Sequence, residues 1–253
     1  MTEPEPAVSG PAHAAGPVPA LHPQAAPHAA RTCVLLDRDG TLLDWSGMFL
    51  RFIHDLHHQA RLPPPLREEI LGAAYWRRLR SGELHIGDVR VRDRVDEVVH
   101  RYMEHSTLFP GAAASITALA RAGARLGLIS AWAGTTTTEA LLERDGVRAH
   151  FTAVLSRDDL AAHESALDDN AAKVRLAARA LALMDHKPTD TLYVVGDSHT
   201  DVHLGRALAA TVIGVRTGNG STLPPGPPRG PDLWLPSVAG LGVMLGLEHS
   251  IAP

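Results

Sequence analysis

Five polar residues stand where apolar runs end. Asp37 and Asp39 follow Cys33-Val34-Leu35-Leu36, Ser130 follows Leu126-Gly127-Leu128-Ile129, and Asp197 and Asp201 follow Leu192-Tyr193-Val194-Val195. Each run has hydrophobic residues on both alternating sides, the pattern of a strand covered on both faces. In open parallel sheets ligands bind outside the carboxyl ends of the strands. Four carboxylates and a hydroxyl from three strand ends would then share one crevice. Carboxylates gathered so closely repel one another unless a cation lies among them. A few carboxylate oxygens, completed by water and a substrate phosphate, suit Mg²⁺. Asp37 and Asp39 are two residues apart, so on an extended chain both face the same side.

The elements that must hold these residues alternate along the chain. Strands are predicted over residues 125–130, 151–155, 191–195 and 211–215, with an edge strand at 233–235. Helices are predicted over 112–122, 135–144, 171–184 and 201–209, and 217–231 reads as a Gly- and Pro-rich loop. Strands alternating with helices imply an α/β fold with a doubly wound parallel sheet. Residues 45–106 break the alternation. Apolar spacing there predicts three successive helices, over 45–60, 66–80 and 88–105, which read as an inserted helical subdomain within a core of 31–44 and 107–253. Residues 1–30 are mostly Ala, Pro, His and Gly, too poor in apolar surface to offset ordering entropy, and are expected to form a disordered tail.

Bulk properties narrow the function. The chain has 253 residues and a formal net charge of −4, with no basic excess to suit nucleic acid or a membrane surface. A single cysteine, Cys33, excludes an internal disulfide and argues against a thiolate zinc site. The opening Met1-Thr2-Glu3-Pro4-Glu5-Pro6 lacks the basic and apolar regions of a signal peptide, and no stretch reaches membrane-spanning length, so a cytoplasmic location is expected.

Taken in order, these motifs resemble those of the haloacid dehalogenase superfamily. Asp37-Arg38-Asp39-Gly40-Thr41 is similar to its first motif, Asp-x-Asp-x-Thr; Ser130 matches the second, a hydroxyl residue ending a strand; and Gly196-Asp197-Ser198-His199-Thr200-Asp201 matches the fourth, Gly-Asp-x-x-x-Asp. The third is a helix lysine upstream of the fourth, and Lys173 matches it. Relatives often carry Lys-Pro at this point. Here Lys173 is followed by Val174, after extra residues around His163–Asp169, while Lys187-Pro188 lies too near Asp197 to leave room for a crossover helix. The helical insert is placed like the C1 cap of phosphoglycolate-phosphatase-like members. The resemblance covers residues 32–245.

The resemblance implies roles. Asp37 would be the nucleophile that forms an aspartyl-phosphate, and Asp39 the general acid and base. Asp37, Asp197 and the backbone carbonyl of Asp39 would hold Mg²⁺, with Asp201 acting through a metal-bound water or by orienting Lys173. Ser130 and Lys173 would hold the phosphoryl oxygens. The substrate implied is a small phosphorylated metabolite, with cap contacts drawn from Trp45, Met48, Arg51, His54, Trp76, Arg77, Arg78 and Arg80. Phosphomutases of the β-phosphoglucomutase type share both aspartates and the cap, and a non-catalytic binding protein could use the same scaffold. Enzymes that displace halide lack the second aspartate, which is present here as Asp39.

Overall fold

The computed structural model describes residues 31–247, so the expected tail at 1–30 lies outside the described residues. A six-stranded parallel sheet forms the centre: β1 (Thr32–Asp37), β6 (Arg125–Ile129), β7 (Phe151–Leu155), β8 (Thr191–Gly196), β9 (Thr211–Val215) and β10 (Leu233–Leu235). Their order is β10-β9-β8-β1-β6-β7. All six residues of β1 are buried, as a strand with neighbours on both edges and helices on both faces requires.

The two faces of β1 feed different cores. Val34 and Leu36 join Ile116 and Leu119 of α5 (Ala112–Arg121) and Leu141 and Leu142 of α6 (Thr135–Arg144). Cys33 and Leu35 point the other way, against Leu176, Ala177 and Ala180 of α7 (Asp169–Leu183) and Leu204 of α8 (His199–Ala207). Helices on both faces make the sheet doubly wound. Gly127 in β6 lets α7 approach closely, since a Cβ there would lie 2.9 Å from Met184 Sδ and 3.0 Å from Leu35 Cδ2.

Register sets the height of the site. Asp37 pairs with Ile129, and Leu36 with Val195. The residues that follow β6 and β8, Ser130 and Asp197, therefore emerge beside Asp37 at one end of the sheet.

Between β1 and α5 the chain makes a tight turn and then the helical insert. Arg38 carbonyl accepts from Leu42 and Leu43 N–H, and Gly40 takes φ +83°. β2 (Leu43–Asp44) and β5 (Thr107–Leu108) pair antiparallel and bring the ends of the insert together. The insert holds α1 (Ser46–Gln59), α2 (Arg67–Ile70), α3 (Ala73–Ser81) and α4 (Glu97–Arg101). Its apolar residues, among them Phe49, Phe52, Ile53 and Val99, belong to the same cluster as Val34 and Ile116.

Two predicted helices come out differently. The stretch predicted over 66–80 is broken between α2 and α3 at Gly72, whose backbone is extended (ψ 152°). The third predicted helix is mostly something else. Residues His85–Ile86 (β3) and Val89–Arg90 (β4) pair as a hairpin around Gly87-Asp88, and 3₁₀ turns at Val91–Arg94 and Met103–His105 flank the five-residue α4. Gly87, at φ +56°, supplies the left-handed backbone that a two-residue hairpin needs. The Val spacing fits a helix, but β-branched residues resist one, and the hairpin turn decides.

Candidate active site

Asp37 ends β1 with only 7% exposure. Facing it is Lys173, on the buried stripe of α7 with Leu176, Ala177 and Ala180. Its Nζ lies 2.7 Å from Asp37 Oδ1 and 2.5 Å from Asp201 Oδ1. Burial alone would drive the ammonium down in pKa, but the Asp201 and Asp37 carboxylates outweigh it and hold the amine above its ordinary range. Lys187, the other candidate for this role, is exposed and pairs with Asp185.

The extra residues before α7 are packed rather than loose. Arg157 donates to the carbonyls of Ala131 and Leu167 and to Asp169 Oδ1. Buried Glu164 takes Arg175 and Arg179. Asp168 caps α7 by accepting from Ala171 N–H at 2.8 Å. This bracing fixes the start of the helix that carries Lys173.

Asp201 uses both oxygens within the protein: Oδ1 on Lys173, Oδ2 accepting from Ser198 N–H (3.0 Å) and Ser198 Oγ (2.5 Å). Gly196 makes room, since a Cβ there would sit 2.0 Å from Asp201 Cγ. Asp197 accepts from Thr41 Oγ1 at 3.3 Å and from Asn219 N–H at 2.6 Å. Asn219 belongs to the turn after β9, where Gly218 packs so closely that a Cβ would lie 2.1 Å from Asp197 Oδ2. The 217–231 loop, which the sequence marks only as Gly- and Pro-rich, therefore delivers a backbone donor into the site.

Asp37, Asp197 and Asp201 each place a carboxylate oxygen within 4.8 Å of the others, all buried. Against these three, Lys173 is one cation, so the cluster is short of positive charge. The imbalance raises the affinity of two of the carboxylates for a proton. Burial, then the Asp201 charge, pushes the Asp37 carboxyl well up despite Lys173. Burial and the same Asp201 charge push Asp197 up to about 6, against the Asn219 N–H and Lys173. A divalent cation on hard oxygen donors would relieve both, so the donor set fits Mg²⁺.

Asp39 sits across the turn, its side chain 17% exposed. Its Oδ2 accepts from Arg38 Nε at 2.9 Å and from Ser130 Oγ at 3.4 Å, while Oδ1 is buried and has no hydrogen-bond partner. Ser130 Oγ also accepts from Trp132 N–H at 3.1 Å. The structure thus brings Asp37, Asp39, Ser130, Lys173, Asp197 and Asp201 to one end of the sheet. Sequence reasoning missed the side chain of Arg38, the Thr41 hydroxyl and the Asn219 N–H. Of the insert residues singled out, Trp45 and Trp76 meet edge to face at 4.9 Å, Met48 is fully buried, and Arg51 pairs with Asp55. Arg77, Arg78 and Arg80 are exposed.

Known proteins with this architecture share little sequence with it. A predicted phosphoglycolate phosphatase from Haemophilus somnus superposes with TM-score 0.62 at 16% identity, covering 83% of this chain and 96% of its own. Protein tyrosine kinase A of Mycobacterium tuberculosis gives 0.62 at 22% identity, covering 85% and 98%. A variant of CbbY from Rhodobacter sphaeroides, in complex with xylulose-(1,5)bisphosphate, gives 0.63 at 19%, covering 86% and 99%. These likenesses establish the fold alone. None of the curated proteins matches the chain. The model of the haloacid dehalogenase-like hydrolase family matches residues 32–208, most of the chain, and the protein belongs to that family.

Proposed function

We propose that this protein is a Mg²⁺-dependent phosphatase that hydrolyses a small phosphate monoester through an aspartyl-phosphate on Asp37. The observation that carries the reading is the pairing of two unlike aspartates in one turn. Asp37 faces Lys173 inside the acidic cluster, and Asp39 offers an unpartnered oxygen beside it. Neighbours named as a predicted phosphoglycolate phosphatase and as a complex with xylulose-(1,5)bisphosphate are in keeping with it.

In the first half-reaction a carboxylate oxygen of Asp37 bonds to phosphorus and the bond from phosphorus to the ester oxygen breaks. Asp39 gives its proton to the leaving oxygen, which departs as an alcohol. In the second half, Asp39 takes a proton from water as that water attacks phosphorus, releasing inorganic phosphate and free Asp37. Lys173 neutralises the phosphoryl oxygens, Ser130 orients them through a hydrogen bond, and Asp201 holds Lys173 in place. Asp37, Asp197 and the Asp39 carbonyl would hold Mg²⁺, with Asp201 assisting, and the bound ion supplies charge neutralisation at the phosphoryl group. Residues 45–106 act as a C1 cap over this crevice and select the substrate.

The test is phosphate release from a panel of phosphorylated metabolites, with Mg²⁺ or with chelator, for wild type and Asp37→Asn. Mg²⁺-dependent release should fall to background in the variant. Release that survives Asp37→Asn would refute the nucleophile. A hexose phosphate that is isomerised without phosphate release would point to a mutase instead.

A further inference from the structure

Arg38 lies between the two aspartates, and its side chain is 1% exposed. In the turn after β1 its side chain runs from the start of the α6 helix to the carboxylate of the next residue, Asp39. An arginine buried there loses its hydration, which charge and hydrogen bonds must offset. The offset comes from two directions. Nη1 donates at 2.8 Å to both the Ala133 carbonyl and the Thr138 hydroxyl, at the start of α6. Nε donates to Asp39 Oδ2 at 2.9 Å, and Nη2 stands 2.7 Å from the same oxygen.

A guanidinium is a rigid plane, so fixing one end fixes the other. The α6 end is well fixed. Asp158 accepts from Gly134 and Thr135 N–H, and Thr138 Oγ1 donates on to the Gly134 carbonyl. The Val99 carbonyl of the insert accepts from Thr137 Oγ1 at 2.8 Å on the same turn. At the other end Oδ2 of Asp39 is taken by Arg38 and Ser130, whereas Oδ1 is buried and unpartnered. We infer that Arg38 is a positioning residue: it clamps Oδ2 of Asp39 to the α6 N-terminus and so leaves Oδ1 as the oxygen that meets the leaving group. The inference rests on the phosphatase reading and assigns to Arg38 the aim of its acid.

The role predicts a dependence on leaving group. A departing alkoxide needs the proton that a well-aimed acid supplies, an effect of about 10²–10⁴-fold. A nitrophenolate departs without it. Arg38→Met should therefore lower kcat/KM, which reads only the steps up to departure of the alcohol and not the later hydrolysis common to both esters, about 100-fold on an alkyl phosphate and about threefold or less on para-nitrophenyl phosphate. Residues that act as a unit are non-additive, so in an Asp39→Asn background the same substitution should cost less than about twofold on the alkyl ester. Thr138→Val removes one anchor while keeping the side-chain shape, and should give the same selectivity at about three- to tenfold. It serves as the test if thermal melts show Arg38→Met to be unfolded. Equal losses of kcat/KM on both esters, or a cost undiminished beside Asp39→Asn, would overturn the inference while leaving the phosphatase reading intact. A wild type that releases phosphate from neither ester would sink that reading and this one with it.

Discussion

Lys173 is the side chain on which the charge balance of the cleft turns. Removing it would leave the Asp37 and Asp201 carboxylates facing each other with no cation between them. Lys173→Met is expected to lower kcat about 100-fold or more, the scale of losing a preorganised charge at a transition state. Lys187→Met, on an exposed residue paired with Asp185, is expected to leave turnover unchanged. Steady-state phosphate release on both variants checks this, and a large loss in Lys187→Met would reassign the phosphate-binding lysine. At this scale the sequence is informative about strand-end acids, because alternating apolar runs mark where strands stop. Lys173 is readable only through family spacing, since nothing local distinguishes it from a solvated helix lysine. Arg38 is not readable at all. Its partners Ala133 and Thr138 lie 95 and 100 residues away, and only the fold brings them together.

Elements position the site through close backbone approaches that only glycine permits. The turn after β9 touches the turn after β1: a Cβ on Gly218 would lie 2.6 Å from Gly40 Cα and 2.1 Å from Asp197 Oδ2, at φ +55°. Gly218→Ala must push Asp197 or the Asn219 N–H aside. It should raise the Mg²⁺ concentration for half-maximal activity about 10-fold or more, the usual scale for disturbing a ligand's support, with only a modest fall in Tm. A magnesium titration of phosphate release reads this, and an unchanged midpoint would show that the turn does not hold the ligand. The sheet and its crossover helices are legible because each run has the period and length of its element. The insert is legible only in outline. Its Val91, Val95, Val98 and Val99 fit a helical stripe, yet Gly87-Asp88 signals a hairpin, and in short segments turn chemistry outweighs periodicity.

For the whole molecule, the acidic cluster ties stability to pH and to metal. Asp197 is pushed up to about 6 when no cation is present. Between its ordinary range and about 6 the folded chain holds a proton that the unfolded chain has released. Stability of the metal-free protein from this group is therefore lost as pH rises through that window. Mg²⁺ would replace the proton, so its gain in Tm should be larger at pH 7.5 than at pH 5. At about 100 times Kd the gain at the higher pH is about 5–10 °C. His57, lowered by burial, destabilises as pH falls, but it does so with or without metal and cancels in the difference. Melting curves in Mg²⁺ and in chelator at the two pH values test this, and equal gains would exclude proton–metal exchange at the cluster. The sheet order carries another consequence, for synthesis. Thr32 of β1 pairs with Thr191 of β8, and Cys33 with Arg125 of β6. At ~5–20 residues per second on the ribosome, the apolar strand that bears Asp37 waits on the order of ten seconds for its second neighbour. Of the interior strands, the one that bears Asp37 is the first made and the one that waits longest for its second neighbour. Newly made chains should thus be most prone to stick, and most in need of chaperones, at the segment that carries the proposed nucleophile.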